Sequence, residues 1–150
     1  MLVVGGGPVG LAAGCLLTAY GVRVTLVERN SRTSDEPKAI SIDDEAIRMF
    51  KLAGLGDELD AIILPGTGTQ YFDANRRPLF RAGTAQPFRH GHPFKNPFAQ
   101  PELEAVLCGA LRLRSDADVR FGCELVGFEQ HADHVEVELR EMADGATETM

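Results

Sequence analysis

The sequence predicts an α/β fold that opens on a Rossmann-like βαβ unit and carries an inserted β-hairpin. Two observations at the N-terminus carry this. The first ten residues, MLVVGGGPVG, read as a short apolar strand, a glycine turn and a helix start, with Gly5, Gly7 and Gly10 fitting G-x-G-x-x-G. The alternating run VRVTLV then ends in Glu28, eighteen residues after Gly10. That is near the roughly 20-residue offset expected for a carboxylate that accepts hydrogen bonds from a ribose.

Each glycine has a physical task. Gly5 allows the tight turn, Gly7 leaves backbone free to approach a pyrophosphate, and Gly10 lets helix and strand pack closely. The turn directs backbone N–H groups and a positive helix end at one place, which suits an anion. An ordinary βαβ unit that binds nothing is the bland alternative, and dinucleotide binding is the working expectation.

The remaining elements follow in order. LAAGCLLTAY continues the first helix to Gly21. NSRTSDEPKA is polar and loop-like. Residues 41–55 form the next helix, with Ser41 as its cap and Ile42, Ala46, Met49, Phe50 and Ala53 as an apolar stripe, ending at Gly54 and Gly56. Within residues 67–82, TQYF and PLFR form a hairpin across DANR. A loop rich in proline and phenylalanine leads to Pro101, which starts an amphipathic helix with Leu103, Val106, Leu107, Ala110 and Leu111 on one side. Three strands follow, VRF, ELVGFE and HVEVELR, with HADH turning between the last two. Asp144-Gly145 turns again, and a partner strand should be running where the sequence ends at Thr147 to Met150. A sheet left there has an unpaired edge, so the 150 residues are expected to be the N-terminal part of a larger enzyme.

Bulk composition narrows the function classes. With 44% hydrophobic and 25% charged residues the chain is ordinary for a soluble globular protein. A formal net charge of −7 argues against nucleic acid, whose binding needs a basic face. Residues 1–22 carry no charged side chain, but six glycines and a proline interrupt them, which speaks against a membrane span. Three scattered cysteines, Cys15, Cys108 and Cys123, fit reduced thiols in the cytoplasm better than a disulfide framework. His90-x-His92 and His131-x-x-His134 lack a third ligand at a recognisable spacing, so no metal site is expected. A second reading sets His90 or His92 at a substrate entrance. No nucleophile constellation is visible, and Cys15 is expected to be an inert, packed thiol.

Four segments together resemble the N-terminal portion of the FAD-dependent aromatic hydroxylases, the class A flavoprotein monooxygenases. GGGPVGLAAG is similar to that family's FAD fingerprint, and VTLVER to the strand presenting the ribose-binding acid. PKAISIDDEAIRMFKLAGL looks like its P-R-A segment and following helix, and KNPFAQPELEAVL like the stretch whose glutamine contacts the cofactor. IDDEAIR with FAQPELEAVL is similar to the 3-(3-hydroxyphenyl)propionate hydroxylase branch.

The resemblance implies a GR2-type FAD-binding domain, incomplete at its C-terminus, spanning residues 1–150. Gly5, Gly7, Pro8 and Gly10 would seat the FAD pyrophosphate, and Glu28 would hold the adenosine ribose with Arg29 beside it. Gln100 would reach the ribityl–pyrophosphate region, and the Leu125 backbone would face the adenine. Bland alternatives stand beside these: Arg29 as a solvated charge, Gln100 as a helix-entry residue, Leu125 as core. Lys38 departs from the family's usual arginine, since lysine offers charge without a planar two-pronged grip. It is either a cofactor contact or a solvated loop charge.

Two later family motifs have no counterpart, an Asp-Gly pair serving the pyrophosphate and a Gly-Asp pair near the ribityl chain. Asp144-Gly145 reads as a hairpin turn instead, and Gly56-Asp57 lies at a helix junction. The implied activity of the parent protein is hydroxylation of a phenolic or aryl acid, using FAD, NADH or NADPH, and oxygen, through a flavin C4a-hydroperoxide. No side chain of this stretch is expected to be catalytic, and the 150 residues alone are expected to be inactive. Two alternatives stay open: a truncated ADP- or FAD-binding module without catalysis, and another FAD- or NAD-linked oxidoreductase.

Overall fold

A computed structural model describes residues 1–66, 68–83 and 86–150. In chain order the elements are β1 (Leu2–Val4), α1 (Pro8–Ala19), β2 (Val24–Glu28), β3 (Ser41–Ile42), α2 (Asp44–Leu52), α3 (Gly56–Asp60), β4 (Thr69–Phe72), β5 (Pro78–Ala82), β6 (Asn96–Pro97), α4 (Gln100–Arg112), β7 (Ala117–Phe121), β8 (Cys123–Gln130), β9 (Val135–Glu141) and β10 (Thr147–Thr149). They divide into two compact units, Met1–Asp35 with Glu104–Met150, and Glu36–Leu103.

The first unit holds the expected βαβ start. β1, β2 and β7 form a parallel sheet in the order β1-β2-β7, with Leu2 opposite Thr25 and Val24 opposite Ala117. The middle strand β2 buries Val24, Leu26 and Val27, as a parallel strand covered on both faces must. α1 and the later part of α4 approach closely at Gly14, where an added Cβ would stand 2.7 Å from Leu111 Cδ2. There the Cys15 thiol donates to the Leu107 carbonyl at 3.5 Å.

An antiparallel meander, β10-β9-β8, completes this unit. Val137 and Leu139 of β9 and Cys123 of β8 cluster with Val27, and Leu2 and Leu125 pack against them. The HADH turn forms as expected, His131 N–H donating to the His134 carbonyl at 2.9 Å. So does the Asp144-Gly145 turn, with Gly145 at φ +74° and β10 running after it. VRF forms a strand as expected; it lies in β7 and pairs with β2, giving the parallel sheet its third strand.

In the second unit the hairpin forms across DANR, with Thr69 opposite Ala82 and Tyr71 stacked on Phe80 at 4.5 Å between ring centres. Thr67, the expected first residue of this segment, lies outside the described residues. The helix expected from Ser41 begins later. Ser41 and Ile42 form β3, paired with β6, and Asp43 caps α2 by accepting from Ala46 N–H at 2.8 Å. The buried stripe shifts accordingly to Ile47, Phe50 and Ala53, leaving Met49 exposed. Asn96, fully buried, joins this unit's loops by donating to the carbonyls of Ile42 (3.2 Å) and Pro93 (2.6 Å) and accepting from Gly66 N–H at 3.3 Å. No helix among the described residues is long and apolar enough to cross a membrane.

Candidate functional site

The site is built where β1 turns into α1. Gly5 has φ +106°, a conformation glycine alone adopts without strain. Its N–H donates to the Val27 carbonyl at 2.8 Å, tying the turn to β2. Gly6 follows and donates to Glu28 Oε2 at 2.7 Å, while an added Cβ would stand 2.8 Å from the Glu28 Cβ. At Gly10 an added Cβ would stand 1.9 Å from the Gly5 carbonyl oxygen, so helix and turn can approach only through glycine there.

Gly7 is different. It caps α1 with extended backbone, and a Cβ added to it would meet nothing within 4 Å. No side chain caps α1, its first turn holds no acid, and Pro8 at its first position has no N–H to satisfy. α2 shows the contrast within the same chain: Asp43 caps it, and Asp44 and Glu45 fill its first turn. α1 therefore presents an uncompensated positive end and an open cradle, the physical requirements for a phosphate.

Beside this cradle, beyond the carboxyl ends of β1 and β2, lies a cavity of about 280 Å³ bordered by Gly5, Glu28, Arg29, Glu124 and Leu125. Ligands of open α/β sheets bind at that end of the strands. The volume sits near the lower end of the range for small-molecule sites, about 300–1,000 Å³, and suits one nucleoside better than a whole dinucleotide. Glu28 is half-buried and Arg29 exposed. Leu125 sits at a β-bulge before Gly127 and also packs on the core, so both of its expected roles are compatible. Cys123 borders the cavity too, and burial, followed by the charge of Glu141, pushes its thiol up. A larger concavity of about 780 Å³ in this unit is walled mainly by apolar side chains such as Leu2, Val4, Phe128 and Val137.

Lys38 and Gln100 belong to the other unit, and the structure brings them together. The buried Gln100 Oε1 accepts from the backbone N–H groups of Lys38 at 3.2 Å and Ala39 at 2.7 Å, and the Lys38 side chain is exposed. Gln100 is thus more than a helix-entry residue, because its oxygen holds the loop after β2. Glu104, one helical turn on, is also buried and accepts from Ser34 N–H at 3.0 Å.

Sequence reasoning missed Glu104, Gly6 and Asn30. The Asn30 side chain and N–H both donate to Glu28 Oε1. Gly6 lay inside the glycine run, which was signal enough, whereas nothing local marks Asn30 or Glu104.

Among the described residues no group of three or more metal-type ligands converges. His131 and His134 stack on each other at 4.5 Å, and His134 Nδ1 meets Asp133. All three cysteines are free and buried, and burial pushes the Cys15 thiol up to about 11.

The model of the FAD binding domain family matches residues 1–150. A 3-(3-hydroxy-phenyl)propionate/3-hydroxycinnamic acid hydroxylase of Mycobacterium avium (strain 104) is 38% identical over 146 residues, covering 97% of this chain and 24% of its own length. Among solved structures, p-nitrophenol 4-monooxygenase PnpA from Pseudomonas putida DLL-E4 superposes with a TM-score of 0.87 at 25% identity, over 99% of this chain and 38% of that one. The flavin-dependent monooxygenase PieE, solved with FAD and substrate, gives a TM-score of 0.81 at 26% identity, over 99% of this chain and 28% of that one. The chain thus spans about a quarter of the hydroxylase it resembles.

Proposed function

This chain belongs to the FAD binding domain family, and on that premise we propose that it forms the nucleotide-holding N-terminal part of a cytoplasmic, NADH- or NADPH-using monooxygenase that hydroxylates a phenolic or aryl acid. The observation that carries the reading is the uncapped, acid-free start of α1 at Gly7, beside the Glu28 carboxylate. Gly5, Gly7, Pro8 and Gly10 seat the pyrophosphate, Glu28 accepts from the adenosine ribose, and Arg29 and the Leu125 backbone border the adenosine. The flavin, when bound, supplies the redox and oxygen chemistry, and the protein binds, orients and shields it.

Lys38 and Gln100 act on the cofactor through the loop they share. Gln100 Oε1 fixes the backbone at Lys38 and Ala39, and the exposed lysine offers a charge without a forked grip. The substrate class rests on the hydroxylase relative, whose name specifies hydroxylated phenylpropionate and cinnamate. In this reading the chain's part is to hold the cofactor, and the chemistry at the aromatic ring is the cofactor's.

Two measurements test the proposal. The purified chain should bind ADP in a calorimetric titration, and an absence of heat at millimolar ADP refutes the nucleotide site. The parent enzyme should oxidise NADH or NADPH faster when phenolic acids are added. A broad panel of such acids without stimulation removes the hydroxylase assignment while leaving the nucleotide site standing.

A further inference from the structure

The two oxygens of Glu28 are unequally engaged. Oε1 accepts twice from Asn30, from its backbone N–H at 2.8 Å and its Nδ2 amide at 2.6 Å. Oε2 accepts once, from Gly6 N–H at 2.7 Å. A carboxylate offers about four lone-pair sites, two on each oxygen. Three are filled among the described residues, and the fourth lies on Oε2, next to the glycine turn.

Asn30 is itself fixed. Its carbonyl accepts from Gly122 N–H at 2.9 Å, and the Gly122 carbonyl accepts from Met142 N–H at 2.7 Å. Gly122, at φ +75°, forms the corner between β7 and β8. The Asn30 backbone is therefore tied to the meander that supplies Leu125, and its N–H stays on Oε1 whatever the side chain does.

We propose that Asn30 is a positioning residue that makes Glu28 a single-hydroxyl acceptor: the carboxylate takes one hydroxyl of the adenosine ribose, on Oε2, and leaves the vicinal hydroxyl to other partners. The inference rests on the nucleotide reading above and adds the selectivity of that site. Energetics favour the asymmetry. A hydroxyl arriving at Oε1 must displace a charge-assisted bond from Asn30 and returns one of similar strength, so the exchange gains little. A hydroxyl arriving at Oε2 adds a bond and removes none. A carboxylate with both oxygens open would instead take both hydroxyls and respond to the loss of either.

The test compares ADP, 2′-deoxy-ADP and 3′-deoxy-ADP by calorimetric titration of the full chain, wild type and Asn30→Ala. In the wild type one deoxy analogue should bind about ten- to a hundredfold more weakly than ADP, the worth of a charge-assisted hydrogen bond, and the other within about twofold of it. In Asn30→Ala half of Oε1 is open, so the analogue that was tolerated should now also lose affinity, by about threefold or more. A purely structural role for Asn30 would weaken all three ligands alike. Equal weakening by both analogues in the wild type overturns the proposal, as does full tolerance of both. Absence of ADP binding in the wild type overturns the nucleotide reading itself, a separate result. Should Asn30→Ala fail to fold, the wild-type pair of analogues still decides the matter.

Discussion

Gly10 and Gly7 should fail in opposite ways when each is replaced by alanine. At Gly10 the new methyl would stand 1.9 Å from the Gly5 carbonyl oxygen and 3.0 Å from its carbon, where ordinary contact begins near 3.4 Å. About 1.5 Å of relief is needed, and it must come from backbone, because no flexible side chain is the obstacle. Either α1 lifts from the turn or the Gly5 N–H to Val27 carbonyl bond at 2.8 Å breaks. Overpacking of this kind costs about 1–3 kcal/mol, and the lost bond adds about 1 kcal/mol. Alanine's helix propensity returns about 1 kcal/mol. The net destabilisation is about 1–3 kcal/mol, a melting temperature lower by about 2–12 °C for a chain of this size.

At Gly7 the same methyl meets nothing, and φ −80° is open to alanine. Stability should fall by only about 0.5 kcal/mol, the difference between glycine and alanine at an N-cap. ADP affinity should drop about tenfold or more, since the methyl occupies the space a phosphate would enter. Thermal denaturation read beside ADP calorimetry separates the two glycines. A Gly10→Ala protein as stable as wild type refutes the turn geometry, and a Gly7→Ala protein that binds ADP normally removes Gly7 from the ligand's path.

Asn96→Ala should destabilise the second unit by about 1–3 kcal/mol, because the buried Ile42 carbonyl and two partly buried backbone groups, Gly66 N–H and the Pro93 carbonyl, lose their partner; urea unfolding with an unchanged midpoint would show that the fully buried amide is dispensable. Burial raises the Cys15 thiol from 9.0 to about 11, so the unfolded chain sheds this proton first and stability falls from pH 9 to about 11, levelling above that. Cys15→Ala should flatten that decline by up to one proton, and identical pH profiles of unfolding free energy would contradict it.

The N-terminal βαβ unit was legible because it is local and punctuated. Gly5 to Gly10 mark the turn, Gly21 ends the helix, and Glu28 ends a strand whose alternation is plain. What misled was non-local. Ser41 looked like a helix cap until its partner Pro97 is seen to draw it into β3, leaving Asp43 to do the capping. The spacing predicts α4 with Leu103, Val106, Leu107, Ala110 and Leu111 on its apolar side, whereas its buried face also includes Glu104 and Cys108. A carboxylate in that position reads as solvent-facing, because its partner, Ser34 N–H, lies seventy residues away in sequence. β7 pairs with β2 across almost ninety residues, so no local pattern distinguishes it from the meander strands that follow. The candidate site divides along the same line: Gly5, Glu28, Arg29 and Leu125 meet at one cavity, and Asn30 emerged only from distances.

Glu28 shows why stability and binding are hard to separate at such a turn. One oxygen holds Gly6, and the other is held by Asn30, so the unliganded site is already a hydrogen-bonded network. Without Gly6 N–H and Asn30 the carboxylate would keep a water shell that a ribose must strip. With them, most of that desolvation is met on folding, and the ligand adds one bond to an oriented acceptor. Removing the carboxylate therefore strips the turn of a partner as well as the nucleotide of an acceptor, and the loss of affinity in Glu28→Ala would exceed the worth of the ribose bond alone. Altering the nucleotide while leaving the protein intact isolates that bond, which is why the deoxy analogues discriminate where the Glu28 substitution cannot.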